Sequence, residues 1–65
     1  MRVEFWLRIP GQHIHHSTWE MDAVPREGES VEVAKDDVRT VHSITWHLPG
    51  VFGHPKSGGV TVLLS

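Results

Sequence analysis

A chain of 65 residues leaves room for one domain, residues 1–65, and a domain this small buries only about 60% of the surface its unfolded form exposes. A formal net charge of -2, with histidines neutral, excludes the footprint of a strongly basic nucleic-acid binder and that of an acidic disordered tail. With no cysteine there is no disulfide framework, which fits a reducing compartment.

Met1-Arg2-Val3-Glu4-Phe5 places a glutamate where an apolar signal core would begin. No apolar run approaches the ~18 residues of a membrane-crossing helix. These features predict a soluble cytoplasmic protein with no membrane contact. Six histidines and three tryptophans are many for this length.

The first element is the clearest. Val3, Phe5, Leu7 and Ile9 alternate with Arg2, Glu4, Trp6 and Arg8, the period of a half-buried strand. Pro10-Gly11 ends it with a turn, proline presetting φ for the first corner and glycine accepting positive φ at the second. His13 to Met21 reads as the return strand of a hairpin. With Ile9 opposite Gln12, Leu7 falls opposite Ile14, Trp6 opposite His15 and Phe5 opposite His16. The competing reading is a short helix from Ser17 or Thr18 to Ala23, because Ser17 and Glu20 have capping-box spacing. Pro25 leaves that helix too little length.

Val24 to Glu29 is rich in turn formers and leads into the alternating strand Ser30-Val31-Glu32-Val33. Lys35-Asp36-Asp37 is a polar turn. Val38 to Leu48 is the longest strand candidate. A bulge near His42 or Ser43 would bring Val41 inside with Ile44 and Trp46. Pro49 to Gly59 is loop, and Val60 to Leu64 is the closing strand. The inward face is then Val3, Phe5, Leu7, Ile9, Val31, Val33, Ile44, Trp46, Val60 and Val62, with Trp46 in the core.

The stretch Ala23-Val24-Pro25-Arg26-Glu27-Gly28-Glu29-Ser30-Val31-Glu32-Val33 resembles a recurring entry to SH3-like small barrels, where a Pro-x-x-Gly-Asp/Glu loop delivers the chain into a strand. The long strand through Val41-His42-Ser43-Ile44-Thr45-Trp46, the Gly-rich loop and the closing Val60-Thr61-Val62-Leu63 continue the likeness. Together they resemble short SH3-like barrel proteins of actinobacterial phages, most without assigned function. The resemblance implies an all-β SH3-like barrel of about five antiparallel strands and a viral protein in the host cytoplasm. It carries over no catalytic residue.

Three places could hold chemistry. His13 and His15 leave the same strand face, about 6–7 Å apart, and neutral imidazole is the commonest metal ligand. Zinc needs a third ligand, from His47, His54, Glu4 or Asp22. The plainer reading makes both histidines surface residues beside Trp6. The second place is an outer face shared by Trp6, His13, His15, Trp19, Arg2 and Arg8, where aromatic rings could stack bases or meet a partner. The third is the Val51-Phe52 pair in the last loop, which either folds back over the barrel end or protrudes into a partner.

Enzyme constellations are thin. No cysteine nucleophile is present, and no Gly-rich phosphate loop opens a helix. The expectation is a protein-interaction module, without cofactor, whose partner-binding residues are Trp6, His13, His15, Trp19, Val51 and Phe52. A nucleic-acid-binding barrel is the alternative, weakened by six basic against eight acidic residues. A histidine-based metal domain is a further one. An exposed edge strand and outward tryptophans also invite a homo-oligomer.

Overall fold

The computed structural model describes residues 1–50 and 58–65. The alternating first segment forms β1 (Arg2–Ile9), with Val3 and Phe5 buried. Pro10-Gly11 turns the chain, Gly11 at φ +84°, into β2 (Gln12–Glu20). The register opens as the alternation requires, with Ile9 opposite Gln12, Leu7 opposite Ile14 and Trp6 opposite His15. It then slips by one residue. Phe5 faces Ser17 rather than His16, so His16 is the extra residue of a bulge. The short helix weighed for this segment does not form.

After an irregular stretch the chain enters β3 (Ser30–Ala34). Gly28 N–H donates to Val41 O at 3.0 Å and Val41 N–H to Glu29 O at 2.8 Å, which ties this approach to the middle of the next strand. Arg26 N–H donates to the Glu29 carboxylate inside the same loop. Lys35-Asp36 turns the chain into β4 (Asp37–His47). Asp36 takes φ +63°, a conformation its short polar side chain tolerates. The bulge expected in the long strand is present at His42 and brings Val41 and Ile44 to one face. The last strand, β5, is Gly59–Leu64.

Among the described residues the result is all-β: five strands in the order β2-β1-β5-β4-β3, curled into a half-barrel consistent with a small SH3-like barrel. The core is Val3, Phe5, Val41, Val60, Val62 and Leu64 on the concave face. Leu7, Met21, Val24, Val31, Val33 and Ile44 pack around it.

Three expectations need correction. The sheet is not wholly antiparallel, because β1 and β5 run parallel, from Val3 beside Val60 to Leu7 beside Leu64. Trp46 is 63% exposed instead of core. It sits opposite Val60, on a part of β4 that has outrun β3, whose pairing stops at Thr40. Ile9 is only half-buried and stands outside the core cluster, at the hairpin end of β1.

Candidate functional site

In a curled sheet that does not close, the two outermost strands define a seam. Among the described residues β2 pairs only with β1, and β3 only with β4. No Cα of β2 lies within 8 Å of a Cα of β3. Between them runs an apolar groove of about 220 Å³, lined by Phe5 at its floor, His16, Ser17, Trp19 and Met21 on one wall, and Val31, Glu32 and Val33 on the other.

Trp19 dominates one wall. The bulge at His16 is what puts it there. Without the bulge, Trp19 would share a face with His15, four residues away, as the sequence implied. With it, Trp19 stands opposite Val3 on the concave face, while His15 stands opposite Trp6 on the convex one. The expectation that Trp6, His13, His15 and Trp19 form one patch is therefore corrected, because the extra residue divides the strand between faces. Trp19 is 59% exposed yet held: its Nε1–H donates to Ser17 Oγ at 2.8 Å. Ser17 Oγ also lies 2.8 Å from His16 Nδ1. One hydroxyl thus joins the bulge residue to the indole and orients the ring along the groove.

Trp6, His13 and His15 gather on the convex face. Trp6 and His15 meet edge to face with centroids 5.2 Å apart. Arg8 stands opposite His13. A shallow hollow here is lined by Glu4, Trp6, His13, Ser43, Thr45, Thr61 and Leu63. His15 Nε2 is hydrogen-bonded with Thr18 Oγ1 at 2.9 Å, and His47 Nε2 with Thr61 Oγ1 at 2.6 Å. No group of three or more His, Cys, Asp or Glu gathers in metal-binding proximity among the described residues. Among them, His47, Glu4 and Asp22 thus do not complete a ligand set with His13 and His15. His54, Val51 and Phe52 lie outside the described residues. Among the described residues no helix is long and apolar enough to cross a membrane.

Charge is distributed unevenly around these two surfaces. Seven of the eight acids fall in residues 20–37: Glu20, Asp22, Glu27, Glu29, Glu32, Asp36 and Asp37. Only Arg26 and Lys35 offset them, so this stretch carries a formal -5. The rest of the chain carries +3 and all six histidines. The acidic stretch starts at the end of β2, passes the groove and includes all of β3. Sequence reading treated Phe5, Val31 and Val33 as core alone. The signal for a groove is the charge run beside them, together with the large apolar Trp19 at the end of a mostly polar strand.

Compared with known proteins, the chain matches no family model, no curated protein and no solved structure.

Proposed function

We propose that this protein is a protein-interaction module that binds its partner in the groove between β2 and β3. The observation that carries the reading is Trp19, exposed but fixed by Ser17 on the wall of an apolar groove. Tryptophans in such positions are enriched among the few residues that dominate binding energy at protein interfaces. At about 220 Å³ the groove is smaller than the ~300–1,000 Å³ of small-molecule clefts, and it suits one or two side chains of a longer segment. Among the described residues neither flanking strand has a second pairing partner along this seam, which adds main-chain hydrogen bonds to what a partner can gain.

Selection from a random peptide display library tests the reading. Enrichment of a peptide class that Trp19→Ala loses and Trp6→Ala retains supports it. No enrichment, or peptides indifferent to Trp19, overturns it.

A second reading has its own observation. The convex face joins Trp6, His15, His13 and Arg8, with Glu4 at the same hollow. Such a surface suits a single nucleic-acid strand, stacking bases and contacting phosphates. Binding of a single-stranded oligonucleotide that weakens with salt and is lost in Trp6→Ala supports it. Binding unchanged by salt or by Trp6→Ala dismisses it.

A further inference from the structure

We infer that the occupant of the groove is an extended basic segment of a partner protein, inserted between β2 and β3 as a sixth strand. The inference rests on the protein-binding reading above and names the chemistry of the partner.

The spacing comes first. Neighbouring strands lie about 4.7–4.9 Å apart, so one strand between two edges separates them by about 9–10 Å. The Cα atoms of β2 and β3 stay more than 8 Å apart, yet side chains from both line the same groove. The two edges do not pair with each other, and a separation above 8 Å admits an added strand.

Strand direction follows from the topology. β1 and β5 run together, while β2 and β4 run against them, so β3 runs with β1. β2 and β3 therefore point in opposite directions. An inserted strand is antiparallel to one and parallel to the other. β2 offers nine residues of edge and β3 five. Antiparallel pairing is also the slightly more stable kind. The longer ladder thus forms by running antiparallel to β2 and parallel to β3.

Side-chain chemistry completes the description. Residues of a strand alternate between faces. One set of the incoming side chains points down onto Phe5, Met21, Val31 and Val33 beside the Trp19 ring, which calls for aliphatic residues. The other set points outward, between Glu32 of β3 and Glu20 of β2, which pairs with the N-terminal ammonium at 2.8 Å, and the exposed Asp22, Glu27 and Glu29 lie in the segment that joins the two strands. Glu32, Glu27 and Asp22 form no salt bridge among the described residues. Lysine or arginine at the outward positions would meet a stretch of formal charge -5. A strand carrying Glu or Asp there would meet like charge. For the same reason the β3 edge of a second copy, which carries these acids, is a poor occupant.

The test uses three synthetic peptides with alternating valine at the inward positions. The outward positions carry lysine, glutamate, or lysine with the inward backbone amides N-methylated. Tryptophan fluorescence and calorimetry read binding, and hydrogen exchange reads the amides of β2 and β3. The lysine peptide is expected to bind and to protect amides on both edges. The glutamate and N-methylated peptides are expected to bind at least about tenfold more weakly, the loss of two or three charge pairs or ladder bonds. Glu32→Lys, an exposed change, should narrow the gap between lysine and glutamate peptides. So should raising salt from about 0.1 M to about 1 M, which shortens the screening length from about 10 Å to about 3 Å.

Equal binding of lysine and glutamate peptides overturns the basic chemistry and leaves the protein-binding reading standing. Binding unaffected by N-methylation overturns the added strand. A dimer in sedimentation with both edges protected before any peptide is added identifies a second copy as the occupant and overturns the inference. Failure of all three peptides, with no class enriched from a display library, removes the protein-binding reading itself.

Discussion

β5 and β2 both flank β1, and their side chains meet opposite fates. β5 buries Val60, Val62 and Leu64 and half-buries the residues between them. β2 buries nothing and half-buries only Ser17, although it is the longer strand and directs Ile14 and Trp19 to the same concave face. The difference is one of place in the sheet. β5 has β4 beyond it, and the curl of the sheet covers its inner face. β2 has no strand beyond it, so the concave surface ends at Trp19 as an open wall. An apolar residue on the inner face is buried only where the sheet continues past it.

The sharpest way to break that contrast is to truncate one residue from each strand. Leu64→Ala removes a fully buried side chain from β5 and should cost about 2–5 kcal/mol. That is a large share of the stability of a domain this small, enough to leave the variant partly unfolded in water. Ile14→Ala on β2 removes a side chain that is 44% exposed and should cost less than about 1 kcal/mol. Urea unfolding measures both. Equal losses would mean that the concave face of β2 is covered in solution, which would contradict the open wall.

Next in size is a change in backbone at the other end of the sheet. Gly58 takes φ +76°, and a Cβ there would stand 2.5 Å from the carbonyl oxygen of His47. Backbone cannot yield as a flexible side chain does. Gly58→Ala should therefore lower stability by about 1–3 kcal/mol. Gly11 also has positive φ, but open space surrounds it. Gly11→Ala should show the cost of the dihedral alone, about 1 kcal/mol. A Gly58→Ala loss no larger than that of Gly11→Ala would show that the junction into β5 adapts freely.

Much of this architecture was legible in the sequence, and the parts that were not share a cause. The alternation of Val3, Phe5 and Leu7 was readable because one face of β1 meets the core throughout. The bulge at His42 was readable because Val41 and Ile44 break period two, and only an extra residue reconciles them. The bulge at His16 left no such mark, since the residues around it are polar and suit either face. The face of Trp19 was therefore misread, and with it the groove. The parallel pairing of β1 and β5 was also invisible. An alternating pattern records which side chains face inward and says nothing of a neighbour's direction. Trp46 shows the remaining limit: its face was read correctly, but its burial depended on where β3 stops.

Deleting His16 sharpens the comparison within β2 itself. The Pro10-Gly11 turn fixes the register through His15, so removing one residue from the bulge restores an unbroken alternation and moves Trp19 to the opposite face. The loss of stability should be smaller than for Leu64→Ala, because β2 contributes no buried side chain. Groove binding should disappear with the Trp19 wall. A deletion variant that keeps both full stability and full peptide binding would mean that the bulge does not position Trp19.

The smallest expected effect lies on the convex face. Trp6 and His15 stand opposite each other on β1 and β2, ring edge to ring face at 5.2 Å. Cross-strand aromatic pairs of this kind contribute about 0.2–1 kcal/mol beyond the area they bury. A double-mutant cycle with Trp6→Ala and His15→Ala isolates that term, provided each single change removes the contact without creating another. His15 also shares a hydrogen bond with Thr18, so the cycle is repeated in a Thr18→Val background to separate the two. A coupling of roughly 0.5 kcal/mol in both backgrounds would show that β2 is held to β1 by its convex side chains as well as by the ladder. A coupling of zero would leave backbone pairing as the restraint on an edge strand that buries almost nothing, and would make β2 the first strand to open in hydrogen exchange.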